Sequence, residues 1–328
     1  MAKRSGKTKK TNRVVVLDGG YDSYETERDI LGAAGYDLEL FSGARDDVEG
    51  RIAFAQGAAG VFIRWTGADA AFLDAIPGVR AIVRYGVGYD NIDLDAAKAR
   101  GVAVSNVQGY ANHAVSDHAL ALILACLRGL QQAPAHRQDA FGEAPETHMP
   151  ELHTLTLGIV GLGRIGGTLS AKAMMLFGHV LASDPYIPHE RFARLGAEPV
   201  DLPQLLNEAD VVSLHCNLTD ETRHLIGAPA FERMRPKAIL INTARGPVVD
   251  EAALYEALES GRLHAAGLDV YAEEPPTAQE QRLLAHARVV GTGHYAWYSN
   301  QASRELQRRA ADNMVALLAG EGPPDRLA

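Results

Sequence analysis

The sequence predicts an α/β protein made of two doubly wound parallel-sheet domains, one inserted into the other. Three observations predict it. Short β-branched runs alternate with helix-length segments along the chain, as when parallel strands are joined by crossover helices. A glycine-rich turn of the form G-x-G-x-x-G, Gly161 to Gly166, lies between a strand and a helix. The 328 residues, 47% of them apolar, suffice for two ordinary cores.

The first block opens with Arg13-Val-Val-Val-Leu17, a buried strand ended by Asp18-Gly-Gly20. Thr26 to Ala34 follows as a helix stopped by Gly35, and Asp37 to Phe41 as the next strand. Gly60 to Arg64, Ala81 to Arg84 and Val102 to Val104 continue the strand series, with helical stretches between them. Ala111 to Leu130, rich in Ala and Leu, is a helix of about five turns. Gln131 to His153 contains Pro134, Pro145 and Pro150 and has no clear period, so it reads as an extended connection or arm. The second block starts at Leu155 with the strand Leu155 to Val160. Its later strands are Val180 to Ser183, Ala238 to Ile241, His264 to Leu268 and Arg288 to Val290. Gln301 to Leu318 is a helix whose Leu306, Ala310, Met314 and Leu317 share a face, and it is expected to return to the first domain. The expected division is a tail over residues 1–12, a substrate domain from 13–105 with 297–328, and a dinucleotide domain over 106–296.

Composition narrows the function. No run approaches the eighteen apolar residues of a membrane span; Ala119 to Leu127 is too short and ends at Arg128. The basic N-terminus has no apolar segment behind it, so no secretory signal is expected. Cys126 and Cys216 fit neither a disulfide framework nor a metal motif, and a cytoplasmic location is the expectation. Net charge is −9, but Lys3, Arg4, Lys7, Lys9, Lys10 and Arg13 concentrate +6 at the start, leaving −15 on the remainder. An acidic body argues against nucleic acid as a partner, and the tail reads as a solvated, disordered terminus.

In the glycine turn, Gly161 makes the tight bend, Gly163 lets the backbone approach a pyrophosphate, and Gly166 lets the helix pack on the strand. Arg164 and Ile165 open the helix, whose N–H groups and positive dipole end would carry the phosphates. The next strand ends at Asp184, where a carboxylate accepts from ribose hydroxyls and repels a 2′-phosphate. NAD is therefore expected rather than NADP.

Three later strand ends present chemistry. Asn242-Thr-Ala-Arg-Gly246 carries Arg245, whose planar fork suits a carboxylate bound on two oxygens. Asp269-Val-Tyr-Ala-Glu-Glu-Pro275 carries Asp269 and Glu274, and Gly291-Thr-Gly-His294 carries His294. Ligands of open α/β sheets bind at carboxyl strand ends, and a histidine beside a carboxylate is a proton donor usable near neutral pH. Singly, each residue has a bland alternative as a surface ion pair or solvated loop. Their shared placement raises them above it.

Together with Val83-Arg-Tyr-Gly-Val-Gly-Tyr-Asp-Asn-Ile-Asp93 and Thr156 to Gly166, these segments resemble the D-isomer-specific 2-hydroxyacid dehydrogenases, in that family's order and spacing. The ending from His294 to Ser303, and Arg84 before the glycine loop, are most similar to its C-terminal-binding-protein branch. The resemblance implies a Rossmann-type NAD domain inserted into a flavodoxin-like substrate domain, with the active site in the cleft between them, and a homodimer. It implies hydride transfer between NAD(H) and a small 2-oxo or D-2-hydroxy acid. His294 would be the proton donor, Glu274 its orienting partner, and Arg245 the ligand of the substrate carboxylate. Backbone N–H groups of Val87 and Gly88, with the Arg84 side chain, would complete the carboxylate site. Asp269 would meet the nicotinamide carboxamide, and Cys216, Thr222, Thr243 and Ala244 would line the cofactor.

Two departures stand out. Gly293 replaces the family's usual proline, which should leave the His294 loop less restrained, and Asn217 stands where proline is frequent. Trp297 either packs structurally or reaches the substrate, where an indole would favour an apolar or thioether side chain. His113 and Asp117 share a helix face beside His118, but with no third ligand nearby a surface pair is expected and no metal. Phosphoglycerate, hydroxypyruvate, glyoxylate and phosphite are alternative substrates, while Glu274 disfavours formate dehydrogenase, which pairs its histidine with glutamine. The chain continues about thirty residues past His294, so no appended regulatory domain is expected. An NAD-responsive, corepressor-like binding protein is the alternative function.

Overall fold

The computed structural model describes residues 11–131 and 148–328. The basic residues from Lys3 to Lys10 and the arm's Pro134 and Pro145 lie outside the described residues. The chain divides into two compact units, one running to Tyr110 and resumed by Asn300–Ala328, the other Ala111–Ser299.

The first unit holds β1 (Arg13–Val16), α1 (Glu25–Ala33), β2 (Asp37–Leu40), α2 (Val48–Ala55), β3 (Gly60–Ile63), α3 (Ala70–Ala75), β4 (Ala81–Arg84), α4 (Leu94–Ala99) and β5 (Ala103–Ser105). Its strands are parallel in the order β2-β1-β3-β4-β5, the flavodoxin-like winding. β3 is apolar throughout, and β1 and β4 are apolar apart from Arg13 and Arg84 at their ends, because helices cover both faces of the sheet. β2, Asp37-Leu-Glu-Leu40, lies at an edge and keeps its acidic side chains exposed. Three of the helices start on an aspartate, and Asp47, Asp69 and Asp93 accept the N–H groups of Gly50, Phe72 and Ala96.

The C-terminal helix Asn300–Ala319 packs on α1 and β4, burying the predicted face of Leu306, Ala310, Met314 and Leu317. The approach is close: a Cβ added to Gly60 would lie 2.4 Å from the Met314 sulfur. Inside this packing is a buried carboxylate. Glu27 is 0% exposed and accepts from the Tyr85 hydroxyl at 3.0 Å and from the Gln307 amide at 3.0 and 3.1 Å. Burial raises the Glu27 pKa, and the hydrogen bonds from Gln307 and Tyr85 work against that rise.

The second unit begins with α5 (Asn112–Leu127), then β6 (Thr156–Val160), α6 (Arg164–Ala173), β7 (His179–Ser183), α7 (His189–Arg194), β8 (Glu198–Pro199), α8 (Leu202–Glu208) and β9 (Val211–Leu214). It continues with α9 (Ala228–Arg233), β10 (Ala238–Asn242), α10 (Glu251–Glu259), β11 (Leu263–Leu268), α11 (Ala278–Leu284) and β12 (Val289–Gly291). The seven strands are parallel in the order β12-β11-β10-β9-β6-β7-β8, so the winding reverses between β6 and β9. That reversal is a topological switch point, where the loops after the two strands diverge and a ligand can enter. α6 ends at Ala173, short of the expected Phe177, and α5 at Leu127, short of Leu130. Separate apolar clusters fill the two faces of this sheet.

Replacing Gln307 with Leu should remove one of the two side chains donating to Glu27, at a cost of about 1–3 kcal/mol. Urea denaturation at pH 7 would read it, and an unchanged midpoint would refute the role given to this amide.

Candidate active site

Backbone geometry at the switch point explains the glycines. Gly161 has φ +89°, and a Cβ there would lie 2.7 Å from the Cys216 backbone nitrogen. A Cβ on Gly166 would lie 2.1 Å from the Gly161 carbonyl oxygen, so α6 can meet β6 this closely only through glycine. Gly163 differs: it caps α6 without a side-chain hydrogen bond, and an added Cβ would meet nothing within 4 Å. The helix ladder starts with the Gly167 N–H donating to the Gly163 carbonyl, so the N–H groups of Arg164, Ile165 and Gly166 precede it. This open space above uncapped donors fits a pyrophosphate. Asp184 braces the loop, accepting from the Leu162 N–H at 2.9 Å and the Tyr186 N–H at 3.0 Å.

Further polar groups fit a dinucleotide. The Thr243 hydroxyl is buried with no protein partner among the described residues. Ala244 follows it, its N–H donating to Asn242 Oδ1 at 3.0 Å. The Thr222 hydroxyl is tied to its own loop through the Asn217 carbonyl at 2.6 Å. Burial pushes the Cys216 thiol up to about 11, which makes this cysteine a poor nucleophile at neutral pH.

β10 and β11 deliver Arg245 and Glu274 to one place because their following loops touch. A Cβ on Gly246 would lie 1.9 Å from the Tyr271 carbonyl carbon. Glu274 accepts the Tyr271 N–H at 3.1 Å, and its other oxygen is 2.5 Å from His294 Nδ1. Burial pushes the Glu274 carboxyl upward; the hydrogen bond and charge of His294, the Tyr271 N–H and the Arg245 charge outweigh this and hold it below the usual range. Glu274 therefore stays ionised at neutral pH, and the arrangement leaves His294 Nε2 to act on another group. Arg245 donates through Nη1 to the Ala244 carbonyl at 2.8 Å.

The loop carrying His294 has restraints that do not depend on residue 293. The left-handed residue is His294 itself, at φ +54°, and a side chain at 293 would meet open space. Hydrogen bonds supply the restraint: the Thr292 N–H donates to the Leu268 carbonyl at 2.8 Å, and the His294 N–H to the Asp269 carbonyl at 2.7 Å. Asp269 is 1% exposed and its carboxylate accepts from the Thr292 hydroxyl and the Tyr295 and Ala296 N–H groups. Trp297 follows, half-buried and edge-on to Tyr298 at 5.5 Å.

In the first unit, Arg84 folds back so that its Nη1 donates to the Tyr85 carbonyl at 3.0 Å. A Cβ on Gly86, which has φ +135°, would lie 1.7 Å from that nitrogen. Val87 and Gly88 follow in the same turn, and neither N–H donates to any group among the described residues. Two adjacent donors beside a guanidinium could hold an anion. Sequence reasoning missed the neighbouring Tyr21, Tyr24 and Trp65, whose hydroxyls and indole N–H are buried without partners among the described residues. The available signal was an aromatic pair just after Asp18-Gly-Gly20 at the carboxyl end of β1.

His113 and Asp117, the pair expected on the α5 surface, are both exposed. Asp117 is 2.6 Å from Lys172 Nζ, whereas His118 turns inward, its Nε2 2.9 Å from Thr292 Oγ1. Among the described residues no group of three or more His, Cys, Asp or Glu side chains could hold a metal ion.

Residues 120–296 match the family model described as D-isomer specific 2-hydroxyacid dehydrogenase, NAD binding domain. The chain is 40% identical to the D-3-phosphoglycerate dehydrogenase of Mycobacterium leprae over 79% of this chain and 49% of the relative. It thus spans about half the length of the phosphoglycerate dehydrogenases it matches first. It is 39% identical to the glyoxylate reductase of Korarchaeum cryptofilum over 78% of each chain. Among solved structures, the D-lactate dehydrogenase of Aquifex aeolicus, complexed with NAD and lactic acid, aligns with a TM-score of 0.86 at 26% identity, covering 94% of this chain and 96% of that one.

Behind the loop that carries Glu274, Glu251 accepts the Ala272 N–H at 2.8 Å through one oxygen, while its other, buried oxygen has no partner among the described residues. Burial raises its pKa to about 7. A raised carboxyl pKa stabilises the fold below the unfolded value, and that stabilisation is lost as pH rises through 7. The parent's Tm should therefore fall by roughly 3–6 °C more than that of Glu251→Gln between pH 5 and pH 8. Parallel melting curves for the two proteins would contradict this assignment.

Proposed function

The chain belongs to the D-isomer specific 2-hydroxyacid dehydrogenase family, and from that premise we propose that it is an NAD-dependent oxidoreductase acting on a small 2-oxo or D-2-hydroxy acid. The observation that carries the reading is the His294–Glu274 contact at 2.5 Å, with the Arg245 charge acting on the same carboxylate. NADH, when bound, supplies the hydride for the substrate's 2-carbon. The chain supplies the rest. Glu274 accepts from Nδ1 and fixes the ring, so that Nε2 carries the proton given to the developing alkoxide. In the oxidative direction the same nitrogen removes that proton. Arg245 binds the carboxylate and the oxygen on which charge grows, and its fixed fork needs no reorganisation as that charge appears.

Gly161, Gly163, Arg164, Ile165 and Gly166 hold the pyrophosphate, Asp184 the adenosine ribose, and Cys216, Thr222, Thr243 and Ala244 line the remainder of the cofactor. Asp269 serves the nicotinamide side. Val87, Gly88 and Arg84 contribute the carboxylate donors of the first unit, and Trp297 faces the substrate side chain. The relatives make D-3-phosphoglycerate, glyoxylate, hydroxypyruvate and lactate the first compounds to test. Two free cysteines, together with the absence of any described helix long and apolar enough to cross a membrane, accord with a cytoplasmic enzyme. A homodimer is the assembly we expect.

NADH oxidation should be detectable with at least one member of a panel of 2-oxo acids. NADH binding without turnover of any would favour the corepressor-like alternative. Arg245→Lys should lower kcat/KM roughly 100-fold while NADH affinity stays within about 2-fold, since only the substrate end loses its two-pronged partner. Near-normal kinetics would remove Arg245 from the mechanism. Asp184→Ala should weaken NADH binding and narrow its advantage over NADPH. An unchanged ratio of the two affinities would mean that the ribose contact lies elsewhere.

A further inference from the structure

We infer that His118 is a positioning residue for the loop that carries His294, acting through Thr292 and Asp269. The proton accounting is specific. Thr292 Oγ1 donates to Asp269 Oδ1 at 2.6 Å, far closer than the Leu268 carbonyl at 3.4 Å, so its single proton is committed to the carboxylate. The same oxygen is 2.9 Å from His118 Nε2 and must therefore accept from it. His118 consequently carries its proton on Nε2, and that nitrogen also lies 3.7 Å from Asp269 Oδ1. The ring meets Tyr295 edge-on at 5.3 Å, so one face of the loop is packed as well as bonded.

The restraint acts where covalent stiffness is missing. Gly293 follows Thr292, and His294 is held at φ +54°, a conformation costing about 1–2 kcal/mol for a residue with a side chain. From the other side, the Tyr271 hydroxyl donates to the Thr292 carbonyl at 2.7 Å. Thr292 is thus gripped by His118 through its side chain and by Tyr271 through its backbone. The residue just before the flexible glycine has a fixed position, and so does the start of the segment that brings His294 to Glu274.

The kinetic part of this inference rests on the dehydrogenase reading; the part about loop order and cofactor affinity does not. Three variants test it: His118→Ala, Thr292→Val, and His118→Gln, whose amide N–H can replace Nε2–H. Each is examined by NADH fluorescence titration, by turnover of the best 2-oxo acid, and by amide hydrogen exchange at Tyr295 and Ala296. Expected for His118→Ala and Thr292→Val are faster exchange at both amides, NADH binding weakened roughly 5-fold, and kcat lowered roughly 10-fold. Their double variant should be no worse than either alone, and His118→Gln should stay within about 2-fold of the parent. Unchanged exchange in His118→Ala overturns the inference. So does equal impairment of the Ala and Gln variants, which would mark a merely space-filling ring. If the parent turns over no 2-oxo acid, the dehydrogenase reading fails, and exchange with NADH affinity still decides the role of His118.

Discussion

At the end of β11 the Asp269 carboxylate, almost wholly removed from solvent, collects one hydroxyl and two backbone N–H donors from residues 292–296. Removing one partner of a buried charge costs several kcal/mol, so the segment after β12 has little freedom to leave it. Because His294 lies within that segment, its position follows from the needs of a different residue. His294 is thereby held by a carboxylate it does not itself bond through its side chain. Glu274 then has only to orient the ring.

Close backbone approach is the second constraint. Gly161 against Cys216, Gly166 against Gly161 and Gly246 against Tyr271 are all contacts that a single methyl group would abolish. The first two create the uncapped donors and the open space at the start of α6. The third brings the β10 and β11 loops together, so that Arg245 can act on Glu274. The open turn before α6 and the Arg245–Glu274 pair therefore share a cause: parallel strands ending in line, with glycine wherever two of their loops must touch.

Buried acid runs through both units. Glu27 is satisfied by a tyrosine and a glutamine, while Glu251 keeps one oxygen without a partner among the described residues and is shifted upward. Glu251 supports the Ala272 N–H, two residues from Glu274. An unsatisfied group that costs stability beside a functional loop is a pattern seen where function and stability compete.

The alternation of strands and helices, the glycine turn, and Arg245, Glu274 and His294 at strand ends were all legible in the sequence, because each depends on neighbours within a few positions. Periodicity placed the buried face of the last helix for the same reason. His118 was not legible: its partner is 174 positions away, and nothing local separates an inward-turned helix histidine from a surface one. Nor could the sequence show that His294, rather than Gly293, adopts the left-handed backbone, since that follows from the hydrogen bonds binding the loop to Asp269 and Leu268. Local pattern determined which residues stand at the carboxyl strand ends. Only tertiary structure decided which of them hold one another, because those bonds form between loops that the sheet brings together.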